Sequence, residues 1–472
     1  MLLITRLRRL RDGERGSALI PVLGVMAVGL IVGALVSSSV VQGLTFSNAT
    51  RSGIQSQAAA DAGVAAARAG LFAGTCTVQP TSGTYSSTGS LNYSATVSRF
   101  VNGAWQAGCP AYLTPQVRIV SIGRATNAAG NPIGSPSRVE AIYNFLWPGV
   151  TPSGVAMYLY SGGVVQANSS LDLSESPGAG LVIKKGNFVC GKNNTVINGD
   201  VVVIGNVDLG TNSCAINGSA WVTGSMNLGN KGSVSGNLTA GSVTPNPPKS
   251  QVGGTYTQSS ALPTAAPWSD VDYVPGDWID SSGDPYQVIT LSGSTCTQYG
   301  GNFGGFTGKP VIINAMGCPS GISGTNNTTF KLTSDVVIFA PKFSWGSINQ
   351  LNFASADTTE RRLWFITPDS VKDGQPTCSA SEGDFAINNS FQIQAPIDAM
   401  LYTPCAFNGS NGFTWRGQIY SGTYSSVMNN PAFTFIPVGI AGHDLGTGTT
   451  TTVLTSPQPG SLVSNRNVAV AP

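Results

Sequence analysis

The chain is 472 residues long, with 10% charged residues, a formal net charge of +2, 59 glycines and 8 cysteines. Ordinary soluble domains carry about 25% charged residues, so this surface has to be built from hydroxyls and amides, as in extracellular β-rich proteins. Five of the 24 basic residues and two of the 22 acidic ones fall in the first fifteen positions, and the remaining 19 and 20 nearly cancel, which excludes a basic nucleic-acid-binding surface.

Arg6, Arg8, Arg9, Arg11 and Arg15 stand against Asp12 and Glu14, and Gly16-Ser17 then opens the run ALIPVLGVMAVGLIVGALV. These nineteen residues, Ala18 to Val36, are apolar or small, and no charge returns before Arg51. At about 1.5 Å per residue they cover a hydrocarbon core of roughly 30 Å. The pattern then stays helix-compatible but turns small and polar, ending in AAADAGVAAARAGL, Ala58 to Leu71. One helix from Ser17 to Gly70 would be roughly 80 Å long. Only its first half fits in lipid, so the second half must pack on something else.

Such a segment has three readings. A cleaved secretory signal has an apolar core of only about 7–15 residues; this run is longer, and the Ala-rich continuation has no obvious reason to exist if the apolar segment is thrown away. A plain signal anchor keeps it. A type IV prepilin holds a basic leader in the cytoplasm, is cut after a glycine just before the apolar run, and retains the helix for a fibre core.

Gly16-Ser17-Ala18-Leu19 and the run behind it resemble a prepilin leader junction. Ala59-Ala60-Asp61-Ala62-Gly63 resembles the "AAEAG" signature that closes the N-terminal helix of PilX-like minor pilins. The two together span residues 6–72. The resemblance implies a leader over 1–16, removed by prepilin peptidase, with Ser17 as the methylated new terminus. It implies a transmembrane and assembly helix over 17–71, with the membrane and other pilin subunits as partners. The location implied is single-pass in the cell membrane with the remainder outside, and an extracellular pilus after assembly. Pro21 departs from the pattern, because major pilins carry glutamate at that position. The family's glutamate is thought to neutralise a neighbour's amino terminus, and an unpaired buried ammonium would cost several kcal/mol. A subunit lacking it suits the tip or initiating position of a fibre. Gly29 with Gly33, and Ala58, Ala62, Ala65 and Ala69, form small-residue stripes that let helices approach closely. Alanine is also simply a good helix former.

All eight cysteines follow the apolar run, and an even count exported across a membrane reads as disulfides. Their spacing falls into the neighbouring couples Cys76–Cys109, Cys190–Cys214, Cys296–Cys318 and Cys378–Cys405. Each loop would stabilise by about 3–4 kcal/mol in the loop-entropy model. With no CxxC and one histidine, His443, zinc is not indicated.

Residues 72–150 read as a small pilin-like antiparallel β domain. Residues 91–101, 116–123 and 138–146 alternate in polarity, with the turn-rich NAAGNPIGSPS between the last two. RIVSIGRATNAAG followed by SRVEAIYNF resembles the strand pair of PilX- and PilV-like minor pilins. Over 151–245 a repeat appears: VINGDVVVIGNVDLG (196–210) aligns with AINGSAWVTGSMNLG (215–229) at an offset of 19, continued at 18 from Ser233. Short β runs between Asn-Gly and Gly-Asn turns at this period indicate a three-sided β-solenoid stacking Ile197, Ile216 and Val234. Glycine and asparagine would take the corners that need positive φ. The repeat resembles the polymer-forming bactofilin type; ordinary hairpins with repetitive turns are the alternative.

Residues 246–290 form a Pro/Asp-rich interruption. Asp270, Asp272, Asp277 and Asp280 offer oxygens of the kind Ca²⁺ takes, but the spacing matches no EF-hand and a solvated loop is the simpler reading. Trp268, Tyr273, Trp278 and Tyr286 interleave with them, so docking onto the β body is expected in preference to a sugar-binding strip. Residues 291–442 form a C-terminal β region of further rungs or a capping sheet. Residues 443–472, rich in Thr, Gly, Ser and Pro, are expected to form a flexible tail. The fold class is α+β: a long N-terminal helix, a small antiparallel domain and a large all-β region.

No phosphate loop, Gly-x-Ser-x-Gly elbow or metal triad is present, and a single histidine argues against a Ser-His-Asp machine. A solenoid lyase or hydrolase needs only carboxylates. Asp200, Asp208, Asp335 and Asp398 qualify, each alone in a β run. No cofactor is implied. The expected function is a non-enzymatic minor pilin, at the tip or initiating position, presenting a disulfide-stabilised ectodomain for assembly or adhesion to a surface glycan or host-cell ligand. The alternative is a membrane-anchored solenoid adhesin or glycan-active protein that never enters a fibre.

Overall fold

The computed structural model describes residues 19–469 except 77–80, 85–90, 102, 112–113, 128, 167–169, 177, 191–193, 211–212, 247, 299–307, 324–326, 346, 348–349 and 389. Gly16 and Ser17 lie outside the described residues. The chain divides into two units, residues 1–146 with 457–472, and residues 147–456.

Among the described residues the first unit is built on one α-helix, Leu19–Phe72, of 54 residues. Pro21 sits in its first turn, where backbone N–H groups have no helical acceptor and proline costs little. The buried residues are Ser52, Ser56, Ala59, Ala60, Gly63, Val64, Ala67 and Leu71, a stripe at three- and four-residue spacing confined to the second half. That stripe packs on an antiparallel sheet of β1 (Thr81–Thr84), β2 (Leu91–Val101), β3 (Ala104–Ala107), β4 (Gln116–Thr126) and β5 (Pro132–Leu146). Val117, Ile119, Ser121 and Ala125 of β4 are buried at alternate positions, as a half-covered strand requires. Two glycines allow the close approach. A Cβ on Gly123 would run into the Ser56 carbonyl and the Ala60 amide, and one on Gly63 would meet Ser121 and Tyr93. The Ser56 hydroxyl accepts a hydrogen bond from the Ala125 N–H at 3.1 Å, fixing helix to strand.

The last thirty residues correct the expectation of a flexible tail. His443 and Leu445 are buried, and Gln458–Asn467 pairs antiparallel with β5, completing a six-stranded sheet. Arg466 donates from Nε and Nη2 to the buried Glu140 carboxylate at 2.9 and 2.6 Å, pinning this strand. QPGSLVSNRN carries almost no apolar alternation because its side chains are mostly exposed, so only its backbone pairing identifies it.

The second unit holds a 28-stranded sheet whose strands pair in parallel along three walls. Val196–Asn198 stacks on Ala215–Asn217 with Ile197 opposite Ile216, and Ile216 in turn lies opposite Val234. Side chains pointing inward form one continuous apolar core from Ala156 to Phe435. Toward the C-terminal rungs this core becomes aromatic, with Trp345, Phe353, Phe365, Phe385, Phe391 and Trp415 in ring contact. Each such fully buried side chain contributes about 1.5–3 kcal/mol. The outer corners are tied by amide ladders. Asn187 Oδ1 accepts from the Asn206 N–H at 3.0 Å, and Asn206 Oδ1 from the Ser225 N–H at 2.8 Å.

Two β regions had been expected, 151–245 and 291–442, and they are one stack assembled out of chain order. Met157–Leu159 pairs with Ile419–Ser421, Gly163–Gln166 with Ser425–Met428, and Leu171–Asp172 with Phe433–Thr434. The first rung therefore lies in the middle of the stack, against the last. From Tyr256–Gln258 at one end the chain must return to Gln287–Ser292 at the other. The 246–290 interruption does this as a strap along one wall. Ala261 O accepts from Trp221 Nε1 at 3.2 Å, Ala265 O from Lys184 Nζ at 2.7 Å, Ala266 O from the Tyr158 hydroxyl at 2.8 Å and Ser269 O from the Tyr402 hydroxyl at 2.7 Å. Further on, Trp278 packs against Trp364 and Phe339. Trp268, Trp278 and Tyr286 are buried and Tyr273 is half-buried beside Phe339, so the strap aromatics dock on the wall.

Four disulfides join Cys76 to Cys109, Cys190 to Cys214, Cys296 to Cys318 and Cys378 to Cys405. The three in the solenoid bridge 22 to 27 residues, about one coil, because each coil brings the chain back beside itself.

Candidate functional site

Two surfaces differ from an ordinary folded exterior. The first is the N-terminal half of the helix. Its apolar window is wholly unburied, with Leu19, Ile20, Val25, Leu30 and Phe46 among the most exposed large side chains. Water is a poor solvent for so continuous an apolar surface. Two hydroxyls on this half bond back to the helix: Ser39 Oγ donates to the Val36 carbonyl and Thr45 Oγ1 to the Gln42 carbonyl, both at 2.8 Å. Such back-bonding satisfies a hydroxyl without water, as suits a helix in lipid or in an apolar bundle. A Cβ added at Gly29 or Gly33 would meet nothing within 4 Å beyond the helix's own backbone. Ala65 and Ala69 are exposed and Ala58 and Ala62 half-exposed, so this alanine stripe is not the face that docks on the sheet. The docking face is the neighbouring Ser52–Leu71 stripe, which sequence spacing had not singled out.

The second is the strap wall. A cavity of about 320 Å³ opens between the strap, the 372–374 turn and the 442–451 hairpin, lined by Trp268, Asp270, Asp272, Asp277, Lys372 and His443 among others. His443 Nδ1 lies 2.9 Å from Ser269 Oγ. Burial pushes its pKa down to about 4, with Lys372 adding in the same direction, so the ring is neutral at physiological pH. Burial likewise raises the pKa of Asp270 and Asp277.

The four aspartates considered for Ca²⁺ do not act as one set. Asp280 Oδ1 caps its own turn, accepting from the Ser282 and Asp284 N–H groups at 2.8 and 3.0 Å, and it does not line the cavity with the other three. Asp270, Asp272 and Asp277 share that cavity without coming close enough to form a group of three ligands. Among the described residues, the side chains close enough to hold a metal as a group of three are Cys378, Glu382 and Cys405, and those cysteines are joined to each other.

The carboxylates considered for glycan chemistry are each engaged structurally. Asp200 Oδ1 accepts from the Ser219 N–H at 2.7 Å, and Asp208 Oδ1 from the Gly210 N–H and Asn227 Nδ2 at 2.8 and 2.9 Å. Asp335 Oδ1 accepts from the Arg362 N–H at 2.8 Å, and burial raises its pKa. Asp398, 1% exposed, pairs with Arg416 Nε at 2.7 Å; burial, and then the neighbouring Glu360, push its pKa up to about 7.

No family model and no curated protein matches the chain. Among solved structures, the competence-associated pilin ComZ from Thermus thermophilus aligns over 88% of this chain and 97% of its own, at 12% identity and a TM-score of 0.22. A superposition that loose establishes neither a shared fold nor a shared role.

Proposed function

We propose that this chain is a pilin-like, disulfide-rich surface protein, and more finely a PilX-like minor pilin of a type IV pilus-like fibre. One observation carries the reading: one continuous helix divides into an unburied apolar half and a second half seated on an antiparallel sheet. Such a helix needs an apolar host for its first half, lipid before assembly and neighbouring helices afterwards. The exposed Gly29, Gly33 and alanine stripe suit the second host, since small residues let helices pack closely.

In this reading prepilin peptidase cuts between Gly16 and Ser17, and Pro21 favours the tip or initiating position. The solenoid is carried outside as a non-enzymatic, adhesive or assembly-directing body, with its ladders of amides and hydroxyls facing a surface glycan or cell-surface ligand. Gold-labelled antibody against the solenoid, applied to sheared fibres, tests it. The expected result is label at fibre ends. Label along the shaft removes the tip position. Label confined to the cell envelope, with none on fibres, removes the fibre and leaves an anchored adhesin.

A further inference from the structure

Beyond the first fifteen positions the two units carry opposite charge. The first holds seven arginines and no lysine against Asp61 and Glu140, whereas the second holds 12 basic and 18 acidic residues. In the first unit Arg118 and Arg466 pair with Glu140, and Arg68 lies over the rings of Phe72 and Tyr143. Arg51 is exposed, and among the described residues no carboxylate pairs with it. Asp61, the nearest acid along the helix, lies about 15 Å further up. A cleft of about 500 Å³ opens beside Arg51, between the helix and the turn joining β4 to β5, lined also by Asn48, Ser52, Gln55, Thr126 and Ile133. β4 runs back along the helix: Ser121 faces Gly63, Ala125 bonds to Ser56, and Gly134 of β5 stands against Ser52. The β4–β5 turn is therefore the end of the sheet nearest the apolar half, and no acidic residue occurs between Asp61 and Glu140. On its other flank Arg51 borders a groove lined by Phe46, Ser47, Thr50 and Ile54. Exposed apolar side chains run from Leu19 to Phe46. That stretch is about 40 Å long, the thickness of a bilayer with its headgroups. Arg51 stands about 7 Å beyond it. Helical side chains lean toward the N-terminus, so its guanidinium returns to the level of the lipid phosphates.

We propose that the cleft beside Arg51 holds the phosphate of an anionic phospholipid, taken from the leaflet on the sheet's side of the membrane. A guanidinium offers a phosphate two parallel N–H donors, and the side-chain amides of Asn48 and Gln55 line the same cleft to reach glycerol or headgroup oxygens. A zwitterionic headgroup would bring an ammonium where no carboxylate receives it; a glycerol headgroup brings none. The acyl chains continue down the helix past Phe46 and Leu44, both exposed. The inference deepens the proposed membrane stage and rests on the reading that this apolar half lies in lipid. It does not depend on whether the protein enters a fibre.

The full chain is reconstituted into vesicles of phosphatidylcholine with a minority of phosphatidylglycerol, floated on a density gradient, extracted in mild detergent and read by native mass spectrometry. The parent is expected to float and to retain phosphatidylglycerol above its share of the bilayer, with no displacement by inorganic phosphate. Arg51→Gln should lower that retention by about fivefold, the worth of one arginine at an anionic surface. Arg99→Gln removes the same charge at the far end of the sheet, where Arg99 pairs with Val117 near the start of β4, and should retain lipid as the parent does. The leader arginines are common to all three chains and cancel in the comparison. Flotation without enrichment, parental retention in Arg51→Gln, an equal loss in Arg99→Gln or displacement by inorganic phosphate overturns the proposal and leaves the membrane reading standing. A parent that floats with no vesicle overturns the membrane reading, and this inference with it.

Discussion

Ile419 and Met157 lie side by side in one parallel ladder, although they come from opposite ends of the second unit. Both are fully buried in the common core. This pair is the seam where the last coil meets the first, and the strap is the consequence of the seam: a stack begun in its middle must be crossed once from end to end.

In a solenoid each coil is stabilised by its neighbours, so a break at the seam should be felt on both sides. Ile419→Asp puts an unpaired carboxylate in the core and is expected to cost about 4 kcal/mol. Hydrogen exchange should show protection lost both in 157–203 and in 397–428. Loss on one side alone would show that the two halves are independent.

The aromatic end of the core sets a second expectation. Phe365 touches Phe343, Trp345, Phe353 and Phe385. Phe365→Ala should cost about 3–5 kcal/mol through the cavity it leaves. Tyr424, 50% exposed, should tolerate alanine within about 0.5 kcal/mol. Denaturant titration of the two variants compares them directly.

Where helix meets sheet, the absence of a side chain is what matters. Gly123→Val would drive a branched side chain into the Ser56 and Ala60 backbone. The helix must then lift from β4, at about 2–4 kcal/mol. Faster hydrogen exchange over 52–71, with the solenoid unaffected, is the expected signature.

His443 gives a pH dependence of defined sign. Its folded pKa of about 4 lies below the ordinary value of 6.5, so the unfolded chain takes up a proton first as pH falls. The stability linked to the neutral ring is complete above pH 6.5 and is lost between 6.5 and 4, by about 3 kcal/mol in all. Lys372 and the Asp270, Asp272 and Asp277 carboxyls share its cavity, so the measurement must be differential. The stability gap between the parent and His443→Gln should move by that amount in the parent's disfavour across this window. A gap that stays constant would mean the ring titrates normally.

The helix was legible because nothing interrupts its apolar run, and the 19-residue offset was legible because Asn-Gly corners mark every coil in 196–229. Side chains alternate in a stacked rung, so the pairing of Ile197 with Ile216 follows once the offset is known. The order of the stack was not legible. Whether Met157 abuts Ile419 depends on where the strap runs, and irregular backbone carries no period. The strand at 458–467 escaped for lack of alternation. The buried Asp369, whose Oδ2 accepts from Trp268 Nε1 at 2.9 Å, escaped because the two residues lie 101 positions apart, while the aspartates that drew notice were those crowded together in sequence.

Mass spectrometry of the mature amino terminus, on protein taken from membranes and from sheared surface fibres, bears most directly on the pilin reading. A chain starting at methylated Ser17 in both fractions is the expected finding. A chain that still begins at Met1, or one that starts beyond residue 40 and so has lost the apolar helix, would contradict it.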